Sequence, residues 1–347
     1  MATVIPTITA LLAIGFALAL LDQWRERRQT FQLTWAVGMA FFGIAAACEA
    51  IAAAAGWNET LYRTWYLTGA VWSAGWLGLG TAFLLARTRF GYAFAFTLFL
   101  GGVFTFLTQR KFDYPNVGAA PILYFVAAAI LGLAVAAETY FQNERWPRIA
   151  ALGIVGATAL SIGLMATTTL AAPFALSPDT GQPVATLFPG TLRLLTPFLN
   201  VTGGLSLGLG ALFSAYVFMP KRRVLPYSLD PGQSGDQFLF NLAIAPVALT
   251  VNFVASLPGA VQALLAGRLH SRVPATILIA IGAFVASAGD TLNRFGVTAP
   301  FAIAKLVAVV FLLAGFLVSI EVFRQFRIPF TGVHLGVARR ERGTGQS

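Results

Sequence analysis

Charged side chains are scarce in this chain. Asp, Glu, Lys and Arg make up 10% of its 347 residues, whereas 57% of the residues are hydrophobic. That leaves too little polar surface to cover a water-soluble globule of this length. We therefore expect an integral membrane protein that is all-α, a polytopic bundle of transmembrane helices with the lipid bilayer as its main partner.

Cysteine and histidine are nearly absent as well. The single cysteine, Cys48, excludes an intrachain disulfide, and the two histidines, His270 and His334, lie in polar connecting segments. Such a set is a poor basis for haem or a metal centre. We predict no cofactor and no metal site.

Catalytic motifs are also lacking. Gly232 to Gly235 resembles the Gly-x-Ser-Gly of rhomboid proteases, but His270 lies in a basic connecting segment and not on a facing helix. Ala288 to Asp290 falls one glycine short of the presenilin-type motif, without a second intramembrane aspartate. Walker and dinucleotide fingerprints are missing. The sequence predicts no catalytic residue and no enzyme.

Long apolar runs are what the chain has in abundance. A helix needs about 20 predominantly apolar residues to cross the hydrocarbon core. Nine segments meet this requirement: Thr3 to Leu21, Phe31 to Ala55, Trp65 to Leu85, Tyr92 to Leu107, Pro121 to Phe141, Ile149 to Ala172, Phe198 to Phe218, Val273 to Thr291 and Phe301 to Val322.

The basic residues fall in short clusters between these runs, which is typical of the positive-inside pattern and argues against nucleic acid as a partner. Placing the first loop in the cytoplasm sends most of them inside: Arg25, Arg27, Arg28, Arg87, Arg89, Arg145, Arg148, Lys221, Arg222 and Arg223. Arg63, Arg110, Lys111 and Arg193 then lie outside. The N-terminus is predicted outside.

One apolar run, Phe238 to Gly267, is ambiguous. If it crosses, the arginines of the C-terminal tail end up outside; if it re-enters or lies along the interface, they stay inside. Pro246 and Pro258 favour a broken helix. We predict about nine spans plus one re-entrant or interfacial segment within a cytoplasmic loop at 225–272. The membrane domain is then 1–323, and 324–347 is a short basic cytoplasmic tail.

The turn between the last two predicted spans carries charge into apolar surroundings. In an antiparallel hairpin joined near Val297, Asp290 and Lys305 lie side by side, and Arg294 follows Asp290 by four residues. A lone charge at membrane depth is costly, so we expect the acid and the base to pair. The pair either locks the hairpin or binds a ligand or ion.

Further candidates lie at the same predicted depth. Glu49 is about two turns before the outer end of its span, and Arg63 and Arg193 begin two spans from the outer side. These residues form one outer polar level or are separate interfacial residues. Trp72 and Trp76 lie on one helical face and serve as packing or as a ligand wall.

Tyr62 to Leu84 and Gly204 to Met219 resemble segments of uncharacterised bacterial multi-pass membrane proteins. The resemblance implies the plasma (inner) membrane and no particular function. The two stretches also share a Leu-Gly-Leu-Gly motif in predicted spans of the same direction, as a parallel duplication would produce.

Two functions remain open. The first is a transporter or channel-like protein for a small solute or ion, with a charged site near the outer leaflet. The second is a non-enzymatic sensor or structural subunit that acts through a partner membrane protein, since the tail is too short for an output domain.

Overall fold

The computed structural model describes residues 3–141, 144–170, 172–178, 183–232, 234–294, 297 and 300–318, with the backbone alone at Arg294. Ten helices in this part of the chain are long and apolar enough to cross a membrane. They are α1 (Val4–Arg27), α2 (Thr30–Ala55), α3 (Glu59–Leu84), α4 (Phe90–Phe112), α5 (Ala120–Tyr140), α6 (Trp146–Ala166), α7 (Gly190–Phe218), α8 (Gly235–Leu265), α9 (Arg272–Arg294) and α10 (Phe301–Val318).

Each predicted span falls on one of these helices, which confirms the all-α multi-pass fold. Helix α3 begins before its predicted start, because Asn58 caps it by accepting a hydrogen bond from the Leu61 amide. Helix α7 also begins early and keeps Pro197 inside it. The predicted tail, 324–347, lies outside the described residues.

Consecutive spans pack antiparallel, and small residues mark the crossings. Gly43 of α2 lies against Ile14 of α1, Gly132 of α5 against Ala95 of α4, and Gly282 of α9 against Leu312 of α10. Helix ends therefore alternate between two sides. We call the side with the predicted cytoplasmic arginine clusters inner and the opposite side outer.

Helices α3 and α7, in contrast, run parallel through the middle of the bundle. Gly75 contacts Leu199, Gly78 contacts the backbone of Gly203, and Gly210 contacts Thr81. A Cβ on Gly78 would come within 2.5 Å of the Gly203 Cα, so side chains are excluded at this crossing. The parallel arrangement is what a duplication requires, and the duplication itself stays a prediction.

Helix α8 connects two inner helix ends. Helices α7 and α9 are antiparallel, since Gly204 contacts Ser287 and Gly208 contacts Phe284. The end of α7 and the start of α9 consequently lie on the same side. An unbroken helix that joins two ends on the same side does not cross the membrane.

The contacts of α8 place it across the inner ends of the bundle. Near its start, Phe238 packs on Tyr92 and Tyr140, at the inner ends of α4 and α5. About 33 Å further along, at 1.5 Å per residue, Ala260 belongs to a cluster with Tyr216 and Val273 at the inner ends of α7 and α9. A helix perpendicular to the membrane would carry Ala260 to the outer side.

These contacts favour the interfacial alternative for this segment, and the prediction of a broken helix is wrong. Pro246 and Pro258 both lie inside a continuous helix of 31 residues. Each proline removes one backbone donor, but the remaining hydrogen bonds keep the helix intact. Ten described helices are long and apolar enough to cross a membrane, and the contacts of α8 favour nine crossing helices with α8 in the membrane plane.

Candidate functional site

A buried ion pair lies at the outer end of the bundle. The Lys305 ammonium of α10 donates to both carboxylate oxygens of Glu49 on α2, at 2.5 Å to Oε1. The Lys305 and Glu49 side chains are 15% and 7% exposed. Trp65 Nε1 donates a second hydrogen bond to Glu49 Oε1 at 2.9 Å. The Lys305 ammonium also lies 4.4 Å from the centre of the Phe301 ring.

The hairpin prediction placed the right residues at one level but paired Lys305 with a different acid. Helices α9 and α10 approach each other where Gly289 meets Ala304, so Asp290 and Lys305 do share a level. The ion pair seen for Lys305 is with Glu49. Asp290 accepts a hydrogen bond from Asn200 Nδ2 of α7 at 3.1 Å. Equal distance from the turn predicts contacts within the hairpin, but it does not show which other helices pack against it.

A further contact links α3 to α7 at this level. The hydroxyls of Tyr66 and Thr196 lie 2.9 Å apart, and Thr196 is one helical turn from Asn200. We call Glu49, Trp65, Tyr66, Thr196, Asn200, Asp290 and Lys305 the outer polar ring. It joins α2, α3, α7, α9 and α10. The Oδ1 atom of Asn200 is buried and has no hydrogen-bond partner among the described residues.

A π-helical stretch positions the α3 members of the ring. Residues Tyr66–Trp72 are π-helical between two α-helical parts of α3. A π-helical turn holds an additional residue and so shifts the faces of the helix before and after it. Adjacent residues on a helix point about 100° apart, so Trp65 faces α2 and Tyr66 faces α7. The π-helical turn changes the direction of these side chains relative to the later part of α3, which carries Trp76. Such insertions are frequent at functional sites.

Aromatic side chains cover the ring from the outer side. Phe188, in the segment before α7, stacks on Tyr66 with ring centres 4.0 Å apart and on Tyr62 at 5.1 Å. The Tyr62 hydroxyl donates to the carbonyl of Val184 in the same segment. Tyr62, Tyr66 and Phe188 are all buried. The outer polar ring is thus shielded from water on the α3 side.

The two outer arginines proposed as site residues, Arg63 and Arg193, make their described contacts with outer loops and helix ends and not with the ring. Arg63 pairs with Glu59 at 2.6 Å and donates to the carbonyls of Met165 and Thr168 after α6. Arg193 lies over the Tyr114 ring, 4.1 Å from its centre. Both connect outer loops to helix ends, and the side chain of the third candidate arginine, Arg294, lies outside the described residues.

Trp72 and Trp76 bind neighbouring helices. Trp72 Nε1 donates to Ser161 Oγ at 2.8 Å, and Trp76 Nε1 donates to Thr158 Oγ1 at 3.2 Å, both on α6. Their rings also pack on Phe41 of α2. These contacts favour the packing interpretation of the aromatic face over a ligand wall.

An apolar cavity lies on the inner side of the same helices. Six helices line it: Phe16 and Leu20 come from α1, and the remaining lining residues are Trp35, Met39, Leu77, Leu207, Ile279, Leu312 and Phe316. Helices α2, α3, α7, α9 and α10 contribute to both the cavity and the outer polar ring. The cavity is small, about 30 Å³, and lies at a different depth from the ring among these helices.

Residue-type reasoning overlooked Trp65, Tyr66, Thr196 and Asn200. Asn200 and Thr196 had a signal, since polar residues four apart on an apolar span share one face. Trp65 lies on the same helical face as Trp72, but that pattern does not show that it contacts Glu49. Among the described residues, no group of three His, Cys, Asp or Glu side chains could hold a metal ion.

Comparison with known protein families, with curated protein sequences and with solved structures finds no match to this chain.

Proposed function

We propose that the chain is a non-enzymatic transporter or channel-like protein of the bacterial inner membrane, which binds a small charged solute or ion at the outer polar ring. The observation that carries the proposal is the buried Glu49–Lys305 ion pair. It joins two helices that, in the described part of the chain, share no extended packing surface.

An ion pair at this depth joins helices only at a large desolvation cost. Removing two charges from water costs several kcal/mol per ion, and apolar residues of similar volume often serve stability equally well. Ionisable residues inside membrane segments are by default functional candidates. The two helices joined by the pair, α2 and α10, also line the small apolar cavity further toward the inner side.

The chemistry of the ring suggests how binding would separate α10 from α2. A ligand anion would compete with Glu49 for the Lys305 ammonium, and a ligand cation would compete with Lys305 for the carboxylate. Either competition releases α10 from α2. Trp65 Nε1 remains as a donor to Glu49, and Asn200 Oδ1 as a buried acceptor beside Asp290. A solute of about the size of an ion or small metabolite fits this number of polar groups.

A ligand screen by thermal stabilisation tests the proposal. The purified chain is heated with a panel of alkali-metal cations, halides, small organic acids, amines and zwitterions. A ligand at 100 times its dissociation constant stabilises the protein by about 2.7 kcal/mol. We expect at least one charged solute to raise the melting temperature of the wild type but not of the double variant Glu49→Gln/Lys305→Met.

Glu144→Gln is the matched control, because Glu144 forms an exposed ion pair with Arg87. This variant should keep the ligand response of the wild type. If no solute stabilises the wild type, or if the double variant responds as the wild type does, the outer polar ring is not a ligand site. Recovery of a stoichiometric protein partner after mild solubilisation would then favour the sensor or subunit function.

A further inference from the structure

Helix α8 holds the segment that follows α7. Asn252 Oδ1 accepts hydrogen bonds from the amides of Val224 and Leu225, at 2.7 and 2.9 Å, and Asn252 Nδ2 donates to the Leu225 carbonyl at 2.8 Å. Ser256 Oγ accepts from the Arg222 amide at 2.9 Å. Asn252 and Ser256 are both fully buried, so these bonds are protected from water.

The consequence is a basic triplet on a fixed backbone. Lys221, Arg222 and Arg223 are exposed, although the main chain beneath them is bound to α8. Arg268 is exposed at the other end of the same helix. The acids of segment 219–272 are Asp230 and Asp236, and Asp236 lies in the first turn of α8, about 24 Å along the helix from Asn252.

The opposite face of α8 is apolar and exposed. Phe240, Val247, Val254 and Val261 follow one another at seven-residue intervals, and each is more than half exposed. At 100° per residue, this stripe points about 180° away from Asn252 and Ser256. An apolar stripe of this length in water would be unfavourable. In an in-plane helix at the inner membrane boundary, it reaches the acyl chains.

We infer that α8 and the triplet Lys221-Arg222-Arg223 form a binding surface for anionic phospholipid of the inner leaflet. The apolar stripe takes the acyl chains, and the triplet takes the phosphate group of the lipid. An apolar face in the acyl chains and basic residues on the opposite face, at the level of the headgroups, are typical of helices that lie in the membrane interface. The hydrogen bonds from Asn252 and Ser256 hold the cations on the face of α8 opposite the stripe.

The test uses the full chain in vesicles with spin-labelled phosphatidylglycerol or phosphatidylcholine. Wild type should bind the anionic probe more tightly than the zwitterionic one. Arg222→Ala/Arg223→Ala should lower this preference at least fivefold, because one basic residue near an anionic surface contributes about 1 kcal/mol, or about fivefold. Ser256 binds the Arg222 backbone, so the double variant keeps the hydrogen bonds that hold the segment.

The matched control is Arg145→Ala/Arg148→Ala, which removes two exposed basic residues from another inner loop. It should change the preference by less than twofold. An equal loss in both variants, or no preference for phosphatidylglycerol in the wild type, would overturn the inference and leave only general surface charge.

A second measurement tests the apolar stripe. In a Cys48→Ala background, a fluorophore on Val254→Cys should be quenched by brominated acyl chains and protected from aqueous iodide. Quenching by iodide alone would show that the stripe faces water. Cross-linking between copies through this position would show a protein occupant, and either result would overturn lipid binding at α8.

Discussion

Breaking the Glu49–Lys305 pair should destabilise the protein far more than removing it entirely. In Lys305→Met, the Glu49 carboxylate stays buried at 7% exposure, with Trp65 Nε1 as its remaining hydrogen-bond donor. Breaking a buried pair by removing one partner costs about 3–5 kcal/mol. We expect a loss in this range for Lys305→Met.

Glu49→Gln should cost less. Glutamine still accepts the Trp65 hydrogen bond, and the Lys305 ammonium keeps its contact with the Phe301 ring. In the double variant Glu49→Gln/Lys305→Met no uncompensated charge remains. Its free energy of unfolding should lie within about 1 kcal/mol of the wild type or above it, because apolar replacements of buried pairs are often neutral or stabilising.

The assay is reversible unfolding in mixed micelles, analysed as a double-mutant cycle. Our prediction is a coupling energy of at least about 2 kcal/mol between Glu49 and Lys305. The exposed Arg87–Glu144 pair, with side chains 84% and 61% exposed, provides the control cycle and should show coupling too small to resolve. Additive losses for Glu49 and Lys305, within about 0.5 kcal/mol, would refute the claim that the two charges compensate each other.

Other predictions concern packing and the α8 contacts. Gly78→Ala should destabilise by about 1–3 kcal/mol, because the new Cβ meets the backbone of α7 at 2.5 Å; Gly156→Ala, with nothing within 4 Å of its Cβ, should leave the melting temperature unchanged or slightly raised. Asn252→Ala should speed trypsin cleavage after Arg222 on the order of tenfold, since three hydrogen bonds to the adjacent segment are lost. Thr250→Ala, which removes a bond to its own helix only, should cleave at the wild-type rate. Unchanged cleavage in Asn252→Ala would show that Asn252 does not hold the segment.

The spans could be predicted because membrane crossing imposes a length that one sequence displays, whereas their inside-to-outside direction, taken from the charge bias, stays a prediction. The charge bias also predicted that the segment forming α8 does not cross the membrane. The broken helix did not follow, because proline removes one hydrogen bond without deciding whether neighbouring turns persist. The contacts of Phe238 and Ala260 place α8 across the inner helix ends, which amino-acid composition alone does not show.

The sequence predicted the membrane depth of the candidate site residues but not which of these residues contact each other. Glu49, Asp290 and Lys305 do lie at one level, as helix length and hairpin symmetry indicate. A single sequence does not show which neighbouring helix each side of a helix faces. We therefore predicted that Lys305 pairs with Asp290, the acid of its own hairpin. Trp65 reaches α2 and Tyr66 reaches α7 because adjacent helix residues point about 100° apart, and a single sequence does not show which helix lies on which side.

Transport across a membrane tests the central claim most directly. Proteoliposomes containing wild type, Glu49→Gln/Lys305→Met or Glu144→Gln are compared with empty liposomes for uptake of each solute that stabilises the wild type. We predict uptake by the wild type and by Glu144→Gln, and uptake at the level of empty liposomes for the double variant. Uptake by the double variant at the wild-type rate, with all three proteins folded in the membrane, would contradict the assignment of the outer polar ring as the solute site.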